Sequence, residues 1–133
     1  MSEYVTFRLG DRDFATSIAF VREVVRLTEL LTLPGMTPPL AGVLDLRGVS
    51  LPVVDIRPAP GGPGDVLVLH DGERAYGFAC DAVSAVVGHD ALVAETSSAE
   101  ALPDYVEAVL RGSAGPVFLV DVRRMAGGLP VTA

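Results

Sequence analysis

GVLDLRGVSLPVVDIR, from Gly42 to Arg57, joins two apolar runs through a charged turn that carries a glycine. Val43, Leu44 and Leu46 form the first run, Leu51, Val53, Val54 and Ile56 the second, and Arg47-Gly48-Val49-Ser50 stands between them. Short apolar runs on either side of a glycine turn read as a β-hairpin. An arginine next to the glycine exposes a guanidinium on the turn, which suits recognition and not core packing.

Upstream of this hairpin the residues from Tyr4 to Leu9 alternate, with Val5, Phe7 and Leu9 on one face and Tyr4, Thr6 and Arg8 on the other, the pattern of a half-buried strand. Gly10-Asp11-Arg12 is a turn into a second strand from Asp13 to about Ile18. In AFVREVVRL the period changes: Val21, Val24 and Val25 fall at i, i+3 and i+4, which predicts a short helical turn. The second half repeats the plan. Val66 to Gly88 follows the same order of strand, turn, strand and valine-spaced turn, with Val83, Val86 and Val87 echoing the earlier valines. Leu102 to Arg124 echoes Leu33 to Arg57, since Leu-Pro opens both, a glycine turn divides both, and Asp-x-Arg closes both at Asp55/Arg57 and Asp121/Arg123.

Between the halves, Pro58-Ala-Pro-Gly-Gly-Pro-Gly64 reads as a linker, because prolines withdraw backbone donors and glycines remove steric preference. The 133 residues are then one domain, with approximate subdomains at 1–62 and 63–133. Each half holds too little core to be secure alone, so packing one on the other should bury a shared apolar layer.

Composition narrows the function. A hydrophobic share of 50% argues against disorder, and 14 glycines with 10 prolines scattered between apolar runs suit many short strands. The net charge of −7 argues against a sequence-independent nucleic-acid binder, which needs a basic surface for phosphates, so no nucleic-acid partner is expected. Neither a signal peptide nor an apolar run of about 18 residues is present, so the expected location is the cytoplasm, without membrane insertion. Cys80, in GFACDAV, reads as a buried, reduced, small hydrophobe. His70 and His89 lack a second ligand at a useful offset, so no metal is expected. Ser17, His70 and Asp71 make a triad only on paper, without a nucleophile elbow. Asp45 and Asp55 flank the hairpin and read as strand-end charges in preference to a catalytic pair. No catalytic residue and no cofactor is expected, and the chain has the marks of a binding module.

The hairpin and its surroundings resemble the CheW-like coupling proteins of bacterial chemosensory arrays. The family pattern runs Gly-Val-hydrophobic-Asn-Leu-Arg-Gly, then Pro-Val-hydrophobic-Asp-hydrophobic-Arg, met here by Gly42 to Arg57. Phe7 to Leu9, Val21 to Val24, Leu33-Pro34, the Gly77 to Val83 run and Leu119 to Asp121 support it. The resemblance implies a mostly β fold of two intertwined five-stranded SH3-like β-barrels with short helical turns, the first strand being free to cross over and complete the other barrel. It implies a non-catalytic adaptor that joins the regulatory domain of a CheA-type histidine kinase to the cytoplasmic hairpin tips of methyl-accepting chemoreceptors. Such a protein is recruited to arrays, where CheW-like units also associate into rings. Carried over position by position, the receptor-facing set is Val21, Glu23, Gly42, Arg47, Gly48 and Gly77. Glu23 and Arg47 are expected to pair with each other. Four features depart from the pattern: Asp45 stands where asparagine is usual, Ala108 where glycine is frequent, the segment after Asp-hydrophobic-Arg is shortened to the Pro/Gly linker, and the longer C-terminal helical tail is not expected. These departures keep open a specialised scaffold that binds only receptor or only kinase in a pathway other than motility. A small enzyme or ligand-binding barrel would require a cleft between the barrels.

Overall fold

The computed structural model describes residues 3–94 and 102–125. Alternation decides the first elements. Strand β1 (Glu3–Leu9) buries Val5, Phe7 and Leu9 as expected, and β2 (Arg12–Ser17) pairs back on it through a tight turn. The predicted helical turn at Val21 to Val25 is instead strand β3 (Val21–Arg26), and the helical element is a single 3-10 turn upstream, Ile18–Phe20, capped by the Ser17 hydroxyl. Two physical reasons account for the difference. Valine is stiff at χ1 and packs well on a pleated surface. Burial along β3 alternates, with Val21, Glu23 and Val25 half-buried and Val24 exposed, so the helix-like spacing comes from valines on both faces of one strand.

The hairpin of the opening sequence is β4 (Leu40–Leu46) and β5 (Val49–Val54). Then follow β6 (Asp65–His70), β7 (Ala75–Cys80) and β8 (Ala82–Gly88), so the valine-spaced run at 83–87 is also a strand, with its own 3-10 turn just after it at His89–Ala91. A two-residue β9 (Val93–Ala94), β10 (Val106–Gly112), β11 (Gly115–Val120) and one helical turn, α1 (Val122–Met125), complete the described chain.

Two sheets result, ordered β8-β1-β2-β11-β10-β9 and β3-β6-β7-β5-β4. The repeat is visible in their parallel plans: each sheet runs valine strand, hairpin, hairpin, with one parallel junction, β2 to β11 in the first and β7 to β5 in the second. The hairpins are exchanged, however. β1-β2 leaves the first half to pair with β8 and β11, and β6-β7 leaves the second half to pair with β3 and β5. The sheets therefore divide residues 21–80 from 3–17 with 82–120, a different division from 1–62 and 63–133. The strand counts are six and five, and neither sheet closes its ladder among the described residues, although an isolated bridge from Leu31 to Val43 brings the chain after β3 against β4.

The largest buried cluster lies between the sheets. Val5, Phe7, Leu9 and Phe14 from one meet Val54, Leu67, Leu69, Tyr76 and Phe78 from the other, with Val120, Val122 and Met125. Phe7 packs edge-on against Phe78 across the layer, with ring centroids 5.6 Å apart. Each fully buried side chain of this size contributes about 1.5–3 kcal/mol of transfer free energy. Smaller clusters fill each sheet's own concavity: Leu44, Leu51, Val53, Val68 and Ala79 in one, Ala15, Leu110 and Val117 in the other.

Candidate functional site

The β4-β5 hairpin turns in two residues, because Leu46 pairs directly with Val49. Arg47 and Gly48 both have positive φ, +52° and +86°. This is the turn whose twist matches the flanking strands, and it ordinarily selects Asn-Gly or Gly-Gly. An arginine held in the left-handed region costs roughly 1–2 kcal/mol, and strain of this kind clusters at functional sites. Asp45 Oδ1 accepts the Gly48 N–H at 2.9 Å and fixes the turn. Asparagine would accept the same bond, so the departure at Asp45 leaves the turn chemistry intact.

From this tip the Arg47 guanidinium reaches Glu23 on β3, with Nη2 donating to Oε2 at 2.5 Å. β3 and β4 are opposite edges of the five-stranded sheet. The ion pair therefore spans the curled sheet's open seam, alongside the Leu31–Val43 bridge. The hydrogen bond from Arg47 holds the Glu23 carboxyl below its ordinary pKa, and Glu23 in turn raises that of Arg47. The Arg47 side chain is 69% exposed, so the pair is a surface feature that presents an oriented guanidinium to solvent.

The other members of the predicted set divide. Val21 is half-buried and packs against the inter-sheet core. Gly48 is exposed beside Arg47. Gly42 and Gly77 are enclosed and do not offer the surface expected of them. A Cβ at Gly42 would stand 2.8 Å from both Leu30 Cβ and Leu31 O, so this glycine seats the segment after β3 against β4. A Cβ at Gly77 would meet Val66 Cγ1 at 2.7 Å and Val53 Cγ2 at 3.0 Å inside the sheet. Ala108 occupies in β10 the place that Gly42 has in β4: each follows a register break with the partner strand of its hairpin.

Arg57 was legible as a motif member but not as a core residue. Its side chain is 1% exposed, and all five N–H donors have acceptors: Nε and Nη2 grip Asp55 at 3.0 and 2.8 Å, Nη2 also reaches Gly62 O at 2.9 Å, and Nη1 reaches Pro63 O at 2.9 Å and Asp81 Oδ1 at 3.4 Å. The Pro/Gly segment is consequently tied down instead of being a free linker. Burial pushes the Asp55 carboxyl up, but the Arg57 guanidinium and the amides of Gly61 and Arg57 outweigh it and hold the pKa below the ordinary value. In the second repeat Asp121 does another job, accepting the N–H groups of Arg123 and Arg124 at the start of α1.

The groups weighed for catalysis are engaged elsewhere. Ser17 caps its 3-10 turn, and Asp71 accepts the N–H groups of Glu73 and Arg74. Cys80 is fully buried, and burial pushes its thiol up to about 12, which leaves it protonated. A cavity of about 210 Å³ lies where the sheets meet α1, lined by Val54, Ile56, Phe78, Tyr105 and Met125, with Asp104 and Arg124 the charged residues beside it. Its walls are mainly apolar and hold no nucleophile paired with a base. Among the described residues no cluster of three or more His, Cys, Asp or Glu is placed to hold a metal, and no helix is long and apolar enough to cross a membrane.

Residues 3–128 match the profile of the family described as CheW-like domain. The chain is 32% identical over 92 residues to a probable chemotaxis protein CheW of Rhizobium etli, a match that covers 64% of this chain and 59% of that protein. It is 29% identical over 128 residues to the chemotaxis protein CheW of Rhizobium meliloti, covering 91% of this chain and 79% of that one. It thus spans less than two thirds of the first of these relatives and about four fifths of the second. The fold is that of the crystal structure of the scaffolding protein TtCheW from Thermoanaerobacter tengcongensis, with a TM-score of 0.79 at 18% identity over 93% of this chain and 86% of that one.

Proposed function

Since the chain belongs to the CheW-like domain family, we propose that it is a non-catalytic adaptor that couples the hairpin tips of methyl-accepting chemoreceptors to the regulatory domain of a CheA-type histidine kinase. The observation that carries this reading is the strained, exposed Arg47 at the hairpin tip, oriented by Glu23. A helical hairpin tip offers apolar ridges flanked by polar groups. A receiving surface needs an oriented charge and close backbone approach beside it, and Arg47 with Gly48 supplies both. Glu23 holds the guanidinium in place, and Val21 adds apolar surface next to it. Gly42 and Gly77 serve the site from beneath, by letting the neighbouring segments seat closely enough to place β3 and the hairpin. Sheet edges such as β8, paired on one side only, suit the ring association of such units.

Calorimetric titration against a receptor tip fragment and a kinase regulatory domain from the same genome tests the reading. Binding to both is expected. Binding to one alone would make the chain a specialised scaffold, and binding to neither would refute the adaptor. Arg47→Glu is expected to weaken the receptor arm at least tenfold, about 1.4 kcal/mol, because it reverses the presented charge and places two carboxylates together. Since the side chain is exposed, far-UV circular dichroism should be unchanged; an unaltered receptor affinity would remove Arg47 from the interface.

A further inference from the structure

The chain crosses between the sheets twice, through the 3-10 turn Ile18–Phe20 and, more abruptly, through one residue after β7. β7 ends at Cys80 in one sheet, β8 begins at Ala82 in the other, and Asp81 is the corner between them. Both carboxylate oxygens and the N–H of this corner are engaged across the junction of the two sheets. Its Oδ1 accepts from Arg57 Nη1, at the end of β5; its Oδ2 accepts the Gly10 N–H at 2.6 Å, in the β1-β2 turn; and its own N–H donates to Arg8 O at 2.9 Å. A neighbouring bond runs the same way, the Val83 N–H on β8 donating 3.1 Å to Asp65 Oδ2 on β6.

At the other end of β7 stands a second link. The buried Tyr76 hydroxyl donates to Val122 O at 2.8 Å, holding the chain just after β11 of the other sheet. Tyr76 and Asp81 are five residues apart, roughly 16 Å along an extended strand. β7 is therefore pinned to the opposite sheet at both ends, with the apolar layer of Phe7, Phe78 and Leu69 between the pins.

We propose that Asp81 and Tyr76 form a two-point clasp that fixes the angle at which one sheet lies on the other. Apolar contact supplies adhesion but is non-directional. Hydrogen bonds at two separated points remove the sliding and rotation that adhesion leaves free. Two pins are the minimum for this, because one pin alone is a pivot. Asp81 and Tyr76 are thus positioning residues for the whole inter-sheet surface, whatever binds there.

Nitroxide labels at Ser50→Cys on β5 and Glu107→Cys on β10, both exposed strand positions in different sheets, report the angle as a distance distribution by double electron–electron resonance. Cys80 stays unlabelled because it is buried and protonated. The parent chain is expected to give one narrow distance. Asp81→Ala should broaden the distribution, and Asp81→Ala with Tyr76→Phe should widen it at least about twofold while amides inside each sheet keep their hydrogen-exchange protection. Widths matching the parent in both variants would overturn the proposal, since the Asp81 carboxylate and the Tyr76 hydroxyl would then not set the angle. Broadening accompanied by lost protection within a sheet would also overturn it, as the change would be unfolding and not a loosened clasp. Should the double variant fail to accumulate, the single variant decides.

Discussion

Arg57→Ala is expected to destabilise the chain by about 3–5 kcal/mol, the cost of breaking a buried ion pair by deleting one partner. The Asp55 side chain is 4% exposed, and losing the guanidinium leaves its carboxylate with only backbone donors, the N–H groups of Gly61 and residue 57. The Gly62 and Pro63 carbonyls lose their donors at the same time, so the segment they hold comes away from the end of β5. A loss of this size would appear as a drop of roughly 10–20 °C in Tm or as an earlier urea midpoint. The pH dependence fixes the cause. In the parent, the Asp55 pKa in the folded state is below its unfolded value, so its contribution is full above about pH 4 and fades as pH falls through the folded pKa. In the variant the cation is gone and burial pushes that carboxyl upward, so protonation relieves it. The stability gap between the two proteins should therefore narrow on acidification. A gap independent of pH would mean that Arg57 acts by filling space and not by charge.

Gly64→Ala should be as damaging for a different reason. A Cβ there would stand 2.1 Å from the Cys80 carbonyl oxygen and 3.0 Å from Arg57 Nη1. The first neighbour is backbone within the β6-β7 ladder, where Asp65 pairs with Cys80, so relief requires parting the strands or expelling the guanidinium. The expected loss is above about 3 kcal/mol, the upper end of ordinary overpacking. Gly62 is the control. A Cβ there meets nothing within 4 Å, and Gly62→Ala should fall within about 0.5 kcal/mol of the parent by urea denaturation. Equal effects at the two positions would show that the segment responds to backbone entropy and not to the collision.

That contrast shows where sequence reading ends. Pro58 to Gly64 is uniform in composition, and nothing in it separates a glycine against a carbonyl from one in open space. The β4-β5 hairpin was legible because its turn chemistry is local: two residues must take positive φ, and the flanking runs alternate. β1 was legible for the same reason. The valine strands were not, because Val24 and Val86 are exposed while the polar Glu23 takes a half-buried position, so the apolar spacing imitates a helix. The burial of Arg57 was not legible because two of its acceptors are backbone carbonyls, which carry no sequence signature, and Asp81 is 24 residues away. The meeting of Glu23 with Arg47 came from the family resemblance, since only the curl of the sheet brings its opposite edges together.

The exchange of hairpins also governs how the chain is made. β1 and β2 are synthesised before their neighbours β8 and β11, and Thr6 finds Ala85 only after 79 further residues. At elongation rates of about 5–20 residues per second this interval is about 4–16 s, for most of which Val5, Phe7 and Phe14 lack the complete opposite sheet that covers them in the finished fold. The second sheet, continuous from Val21 to Cys80, is complete earlier and gives the waiting hairpin a surface on which to collapse. Non-local pairing of this kind makes folding slow. The hairpin of β1 and β2 thus carries the aggregation hazard while it waits, and a chaperone that holds it until the sheet from Val21 to Cys80 is complete is expected to raise the yield of folded chain.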